Sequence, residues 1–174
     1  MADFGFNVGV FKVDFTSAEV AAFRARFRRD PLYSGPCLVV ERQSGLALDS
    51  RQEPGEGSSP VLYPVHGLPW QHWRISPARR GTVRITSGVG GLALTAPRTP
   101  RDWSPVRLNR ATSGDEQLWR LRPTDDGSAF LIESAVSEHA LDATEKPEWL
   151  ASPHLWSSHW AAWQQWVICR LPMA

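Results

Sequence analysis

From about residue 33 onward, the hydrophobic pattern is one of short alternating runs broken by turns. Cys37 to Glu41, Thr82 to Thr86 and Ala129 to Glu133 read as strand openings. Each is followed by a segment whose alternation suits a half-buried strand: Leu46-Ala47-Leu48-Asp49, Leu92-Ala93-Leu94-Thr95 and His139-Ala140-Leu141-Asp142. Turn-forming clusters separate them, at 53–60, 87–91 and 125–127. The first 32 residues differ. Phe4, Phe6, Val8 and Val10 alternate, then Phe11, Val13 and Phe15 alternate on the shifted phase, which predicts a strand or strand pair with a bulge near Val10. Thr16 and Glu19 fit a capping box, so a short helix is expected to about Arg28, closed by Asp30-Pro31.

Three markers recur in fixed order. Gln71-His72-Trp73, Gln117-Leu118-Trp119 and Gln164-Gln165-Trp166 share the pattern Gln-x-Trp, with glutamines 46 and 47 residues apart. The fourth residue of each Leu-x-Leu-type segment (Asp49, Thr95, Asp142) lies 22 residues before its glutamine. Between them stand Pro60-Val61-Leu62-Tyr63, Pro105-Val106-Arg107-Leu108 and Pro153-His154-Leu155-Trp156. Such a period signals a repeat architecture. Short strands with frequent turns indicate a closed all-β design, and no capping repeats appear, so a threefold barrel suits the chain better than a solenoid. The indole of each Gln-x-Trp is expected in the core, with the amide tying down a turn. On a strand, the two would point the same way.

Three Gln-x-Trp units with a preceding Leu-Asp resemble the ricin-type β-trefoil lectin family. The resemblance covers residues 33–174, in units of about 33–78, 79–124 and 125–174. It leaves 1–32 as an extension of strand plus short helix. It implies an all-β trefoil with threefold pseudosymmetry. It also places Cys37 and Cys169 on neighbouring first and last strands, either as a disulfide or as two buried thiols.

The resemblance further implies a sugar site within a unit. An aspartate accepts hydrogen bonds from sugar hydroxyls, an aromatic ring stacks on the apolar C–H face, and an asparagine and glutamine before the tryptophan assist. The chemistry is sound on general grounds. Carried over, the first unit offers Asp49, Tyr63 and Gln71, and the third offers Asp142, Trp156 and Gln164. In the second, Thr95 and Leu108 stand in the two key places, so no sugar is expected there. The residue before each glutamine is Trp70, Glu116 or Trp163, never asparagine. Trp70 and Trp163 are thus expected either to add a stacking wall or to fill the pocket. The third unit is the preferred site, flanked by Trp149, Trp156, Trp160 and Trp163, with His154 and His159 nearby; on a strand, His154 and Trp156 would share a face. The competing structural reading makes Asp49 and Asp142 turn-closing residues that bind backbone amides.

Composition narrows the alternatives. The chain has 174 residues and a formal net charge of +1, so it suits one domain, and no global field draws nucleic acid or a membrane surface. The start of the chain lacks the pattern of a signal peptide, and no stretch approaches membrane-spanning length. A soluble cytoplasmic protein is expected, with export by an unmarked route left open. No nucleophile elbow, metal-binding helix or phosphate cradle occurs, so neither catalytic residues, metal nor cofactor is assigned. The expected partner is a glycan or glycoconjugate. The extension would pack on the trefoil, or serve as a homodimer strand or docking helix. The alternative functions are a protein-binding trefoil, such as a hydrolase inhibitor, and an atypical enzyme with a pocket in the third unit.

Overall fold

A computed structural model of the chain describes residues 5–8, 11–14 and 35–171. Strands β1 (Gly5–Val8) and β2 (Phe11–Asp14) form a two-stranded antiparallel sheet. Val8 pairs with Phe11, so the phase shift in the sequence falls between the two strands. The expected bulge at Val10 and the helix after Thr16 lie outside the described residues.

Each repeat then contributes its own set of strands. The first comprises β3 (Pro36–Glu41), β4 (Leu46–Asp49), β5 (Val61–Pro64) and β6 (Trp73–Pro77). The second comprises β7 (Val83–Ser87), β8 (Ala93–Thr95), the two-residue β9 (Ser104–Pro105), β10 (Arg107–Asn109) and β11 (Trp119–Pro123). The third comprises β12 (Phe130–Ser134), β13 (His139–Asp142), β14 (His154–Ser157) and β15 (Gln165–Arg170).

Six of these strands close a barrel. β3 pairs with β6, β6 with β7, β7 with β11, β11 with β12, β12 with β15, and β15 returns to β3. Closure leaves the barrel no open edge. Apart from the short β9, which pairs with β14, the other strands of the repeats form three hairpins, β4–β5, β8–β10 and β13–β14. A closed six-stranded barrel with three hairpins is the β-trefoil.

The repeated tryptophans hold this arrangement. Trp73, Trp119 and Trp166 are fully buried. Each indole Nε1–H donates to a main-chain oxygen 25 residues earlier, on Leu48 (2.8 Å), Leu94 (3.0 Å) and Leu141 (2.9 Å). A buried N–H without a partner costs roughly 1–3 kcal/mol, so the acceptor matters as much as the apolar contact. The bond ties each hairpin to the barrel.

The glutamines do not share a strand with their tryptophans. Each ends a single 3-10 turn, at Pro69–Gln71, Asp115–Gln117 and Ala162–Gln164. Each buried amide clamps the loop before it. The side-chain oxygen accepts from the backbone N–H of His66 (2.9 Å), Thr112 (2.7 Å) or His159 (2.9 Å). The side-chain nitrogen donates to the carbonyl of Pro64 (3.0 Å), Arg110 (2.8 Å) or Ser157 (3.2 Å).

Cys37 and Cys169 lie on adjacent strands but are free thiols. Cys169 pairs with Leu38, and Cys37 with Arg170, so the one-residue offset turns the two sulfurs to opposite faces. Cys37 joins the barrel core and donates to the Trp73 carbonyl. Cys169 packs with Leu38, Val40 and Ala47 on the other side. Burial pushes both thiols up to about 12, so neither is nucleophilic near neutrality.

Candidate functional site

The candidate acids and stacking rings stand on two of the three hairpins. In β4–β5, Asp49 pairs with Val61 and Ala47 with Tyr63. Cross-strand partners share a face, and so do residues two apart. Asp49 and Tyr63 therefore share one face, while Leu48 and Leu62 fill the core on the other. In β13–β14, Asp142 pairs with His154 and Ala140 with Trp156, which puts Asp142, His154 and Trp156 together. The second hairpin aligns Thr95 with Arg107, and Ala93 with Asn109. Asn109, not Leu108, thus occupies the position of Tyr63 and Trp156. Leu108 is fully buried and matches Leu62 and Leu155 in the core. The proline marker misaligns the second unit by one residue.

Both aspartates are nearly covered, each 3% exposed. One oxygen closes a turn: Asp49 Oδ1 accepts from Arg51 N and Asp142 Oδ1 from Thr144 N, both at 2.7 Å. Arg51 and Thr144 both have φ of 69°, a left-handed turn that the carboxylate stabilises. This part of the turn-closing reading holds. The other oxygen faces an imidazole. His66 Nε2 lies 3.3 Å from Asp49 Oδ2, and His159 Nε2 lies 3.5 Å from Asp142 Oδ2.

The two histidines are equivalent, each five residues before its glutamine. Nδ1 of each accepts a backbone N–H, from Leu68 (3.1 Å) and Ala161 (3.3 Å). A neutral imidazole that accepts at Nδ1 carries its hydrogen on Nε2, so the ring N–H is aimed at the carboxylate. In the first lobe the Trp70 indole N–H also approaches His66 Nε2, at 3.1 Å, so His66 either donates to Asp49 or accepts from Trp70. From sequence, His159 was named only as a neighbour of the third site and His66 not at all, although their matched spacing was visible there.

Trp70 and Trp163 are half-buried, and their ring contacts are with these histidines, at 5.5 and 5.6 Å. Their carbonyls also serve the frame, accepting from Ser50 N (2.8 Å) and Ala143 N (3.0 Å). Gln71 and Gln164 sit under the loops as described. Gln164 also reaches Asp142 Oδ2, at 2.9 Å.

Of the tryptophans expected around the third site, only Trp156 and Trp163 lie there. Trp149 packs on Tyr63 of the first lobe, at 6.1 Å. Trp160 lies under the Arg122 guanidinium and lines a different cavity, of about 510 Å³, with Arg42, Asp126 and Gln165. The third site gains Trp103 instead, from the second lobe. Trp103 stacks on His154 at 4.3 Å and meets Trp156 edge-on at 5.0 Å. Spacing within one repeat could not reveal contacts between lobes.

His154 is buried, with Nε2 3.6 Å from Asp142 Oδ1. Burial holds its imidazole below the ordinary 6.5, against the opposing pull of Asp142 and Asp102. It is therefore neutral at pH 7. Among the described residues, no group of three or more His, Cys, Asp or Glu is placed to hold a metal ion, and no helix is long and apolar enough to cross a membrane.

The model of a family described as "Ricin-type beta-trefoil lectin domain-like" matches residues 69–156. The chain belongs to that family. No curated protein matches this lectin-like chain. Among solved structures, it is similar to the designed threefold-symmetric protein ThreeFoil, at 26% identity and TM-score 0.74, covering 79% of this chain and 99% of that one. It is also similar to the Macrolepiota procera ricin B-like lectin solved in complex with lactose, at 21% identity and TM-score 0.69, covering 80% and 98%. The Rhizoctonia solani agglutinin shares the fold at 22% identity and TM-score 0.68, covering 80% and 97%.

Proposed function

We propose that this ricin-type lectin-like trefoil is a carbohydrate-binding module, not an enzyme, with one site at Asp49 and Tyr63 and another at Asp142 and Trp156. The observation that supports this reading most is that an acid and a flat ring share the outer face of the same hairpin in two lobes. The third-lobe site adds His154 and the first adds His66. A pyranose would lay its C–H face on Tyr63 or Trp156 and turn a hydroxyl edge to the carboxylate–imidazole pair. The carboxylate oxygen that faces the imidazole then accepts from a sugar hydroxyl, while the ring N–H stays on that same oxygen and holds it in place. The partner is a glycan or glycoconjugate. Each site alone is shallow, and two on one chain raise avidity toward a multivalent glycan without new contacts.

A glycan array read with the wild type and the Asp49→Ala, Asp142→Ala and Trp156→Ala variants tests this. The reading expects array signal from the wild type, a reduced signal from each single variant, and none from Asp49→Ala combined with Asp142→Ala. A blank array for folded wild type, with a protein partner captured instead, replaces it with the protein-binding trefoil.

A further inference from the structure

A loop of one lobe reaches over the hairpin of the next, and its residues are threefold-related. Gly57 N donates to Leu108 O, and Leu150 N to Leu62 O, both at 2.8 Å. The corresponding loop of the second lobe is docked on the third hairpin by β9, through His154↔Pro105 and Leu155↔Ser104. At the apex, Gly57, Trp103 and Leu150 all adopt left-handed backbone, with φ of 81°, 67° and 67°. Glycine takes this conformation freely, whereas a bulky residue pays roughly 1–2 kcal/mol for it. Trp103 nonetheless stands there, 63% exposed, and Trp149 stands beside Leu150, 67% exposed.

Asp102 fixes the loop that carries Trp103. Its Oδ1 accepts from Ser157 N (2.7 Å) and Ser157 Oγ (2.9 Å) on β14. The indole of Trp103 stands at 88° to Trp156, and on the third lobe's loop that of Trp149 stands at 56° to Tyr63. The second hairpin, which has neither aspartate nor aromatic, receives Glu56 and Gly57 and no ring. Among the described residues, only the two hairpins that bear the acid and the stacking ring also meet a neighbouring lobe's tryptophan.

Resting on the sugar-binding reading above, we infer that Trp103 and Trp149 are specificity-determining residues for a second, linked sugar, so that each site takes a disaccharide or the end of a longer glycan. One pyranose cannot lie flat on two planes set so steeply to each other. Two rings that twist about a glycosidic bond can, the terminal sugar on Trp156 or Tyr63 and the next on Trp103 or Trp149.

Titration calorimetry with two matched pairs, methyl β-galactoside with lactose and methyl β-glucoside with cellobiose, tests this. An Asp49→Ala background isolates the third site, and an Asp142→Ala background isolates the first. The site is expected to prefer the disaccharide of the pair it accepts. Trp103→Gly in the first background and Trp149→Ala in the second should lower the disaccharide-to-monosaccharide affinity ratio about three- to tenfold, the scale of one lost stacking contact. Trp103→Gly places glycine at the position equivalent to Gly57, and a melting temperature no lower than the wild type's confirms that its fold is intact. An unchanged ratio in both folded variants, or equal wild-type affinity for the members of each pair, overturns the inference and leaves a monosaccharide lectin standing. Wild-type protein that binds no sugar, on the array or in solution, overturns both readings.

Discussion

The second and third lobes rest on the same hydrogen bonds. Trp119 donates to Leu94 as Trp166 does to Leu141. Gln117 spans the Thr112 amide and the Arg110 carbonyl as Gln164 spans those of His159 and Ser157. Their outer faces have little in common. Where the third lobe has Asp142, His154, Trp156, His159 and Trp163, the second has Thr95, Arg107, Asn109, Thr112 and Glu116. Even the acceptor is replaced: Gln117 reaches Thr95 Oγ1 at 3.2 Å, where Gln164 reaches the Asp142 carboxylate. Arg107 turns outward to Ser59, and Arg110 pairs with Glu56. The frame and the site are thus separable, and a lobe can lose one without losing the other.

If the frame is shared equally, removing its indole should hurt most, and equally in every lobe. Trp119→Ala is expected to cost roughly 3–5 kcal/mol in denaturant unfolding, the same as Trp166→Ala. A markedly cheaper Trp119 would mean that the lobe without a site is also the looser one. Next come the glutamines. Gln117→Leu should cost about 1–3 kcal/mol by leaving a backbone amide and a carbonyl unpaired. Gln164→Leu should cost more, because it also strips a donor from the buried Asp142. Equal values would show that Asp142 gains little from that amide.

A smaller effect is expected from Gly57→Ala. The added methyl meets no atom within 4 Å, but φ of +81° strains it, so a loss of about 1 kcal/mol should appear in thermal unfolding. The smallest effect is the pH slope that His154 imposes. Burial depresses its folded-state value below 6.5, so the unfolded chain takes up a proton that the native state resists. Its contribution is fully present above about pH 7 and declines as pH falls through 6.5, by less than about 1.4 kcal/mol per pH unit. His154→Val, which copies Val61 of the first lobe, should flatten that slope. An unaltered slope would assign it to other groups.

The three-part frame was legible because its markers are local and repeat at matched spacing. Trp73, Trp119 and Trp166 were read as core, and they are. Asp49 with Tyr63, and Asp142 with Trp156, were legible as pairs for the same reason, since both members lie on one hairpin. Three things were not. The glutamines lie in 3-10 turns, where each amide is claimed by a backbone N–H and a backbone carbonyl of the loop before it, and alternation cannot show that. Asn109 was misplaced because the proline marker slides by one residue in the second unit, whereas the spacing back from the glutamine does not. Asp102, Trp103 and Trp149 were missed or misassigned because each acts on a neighbouring lobe, and separation in sequence carries no sign of that closure.

The seam between β3 and β15 has a consequence for how the chain is made. Val40 pairs with Val167, and Cys37 with Arg170, so the first barrel strand waits for the last. Contacts this far apart demand a costly loop closure and slow the search for the native state. On the ribosome, the two earlier lobes must idle with an unpaired flank until β15 has left the exit tunnel. A stop codon ahead of β15 would forfeit the whole ring, not one lobe of it.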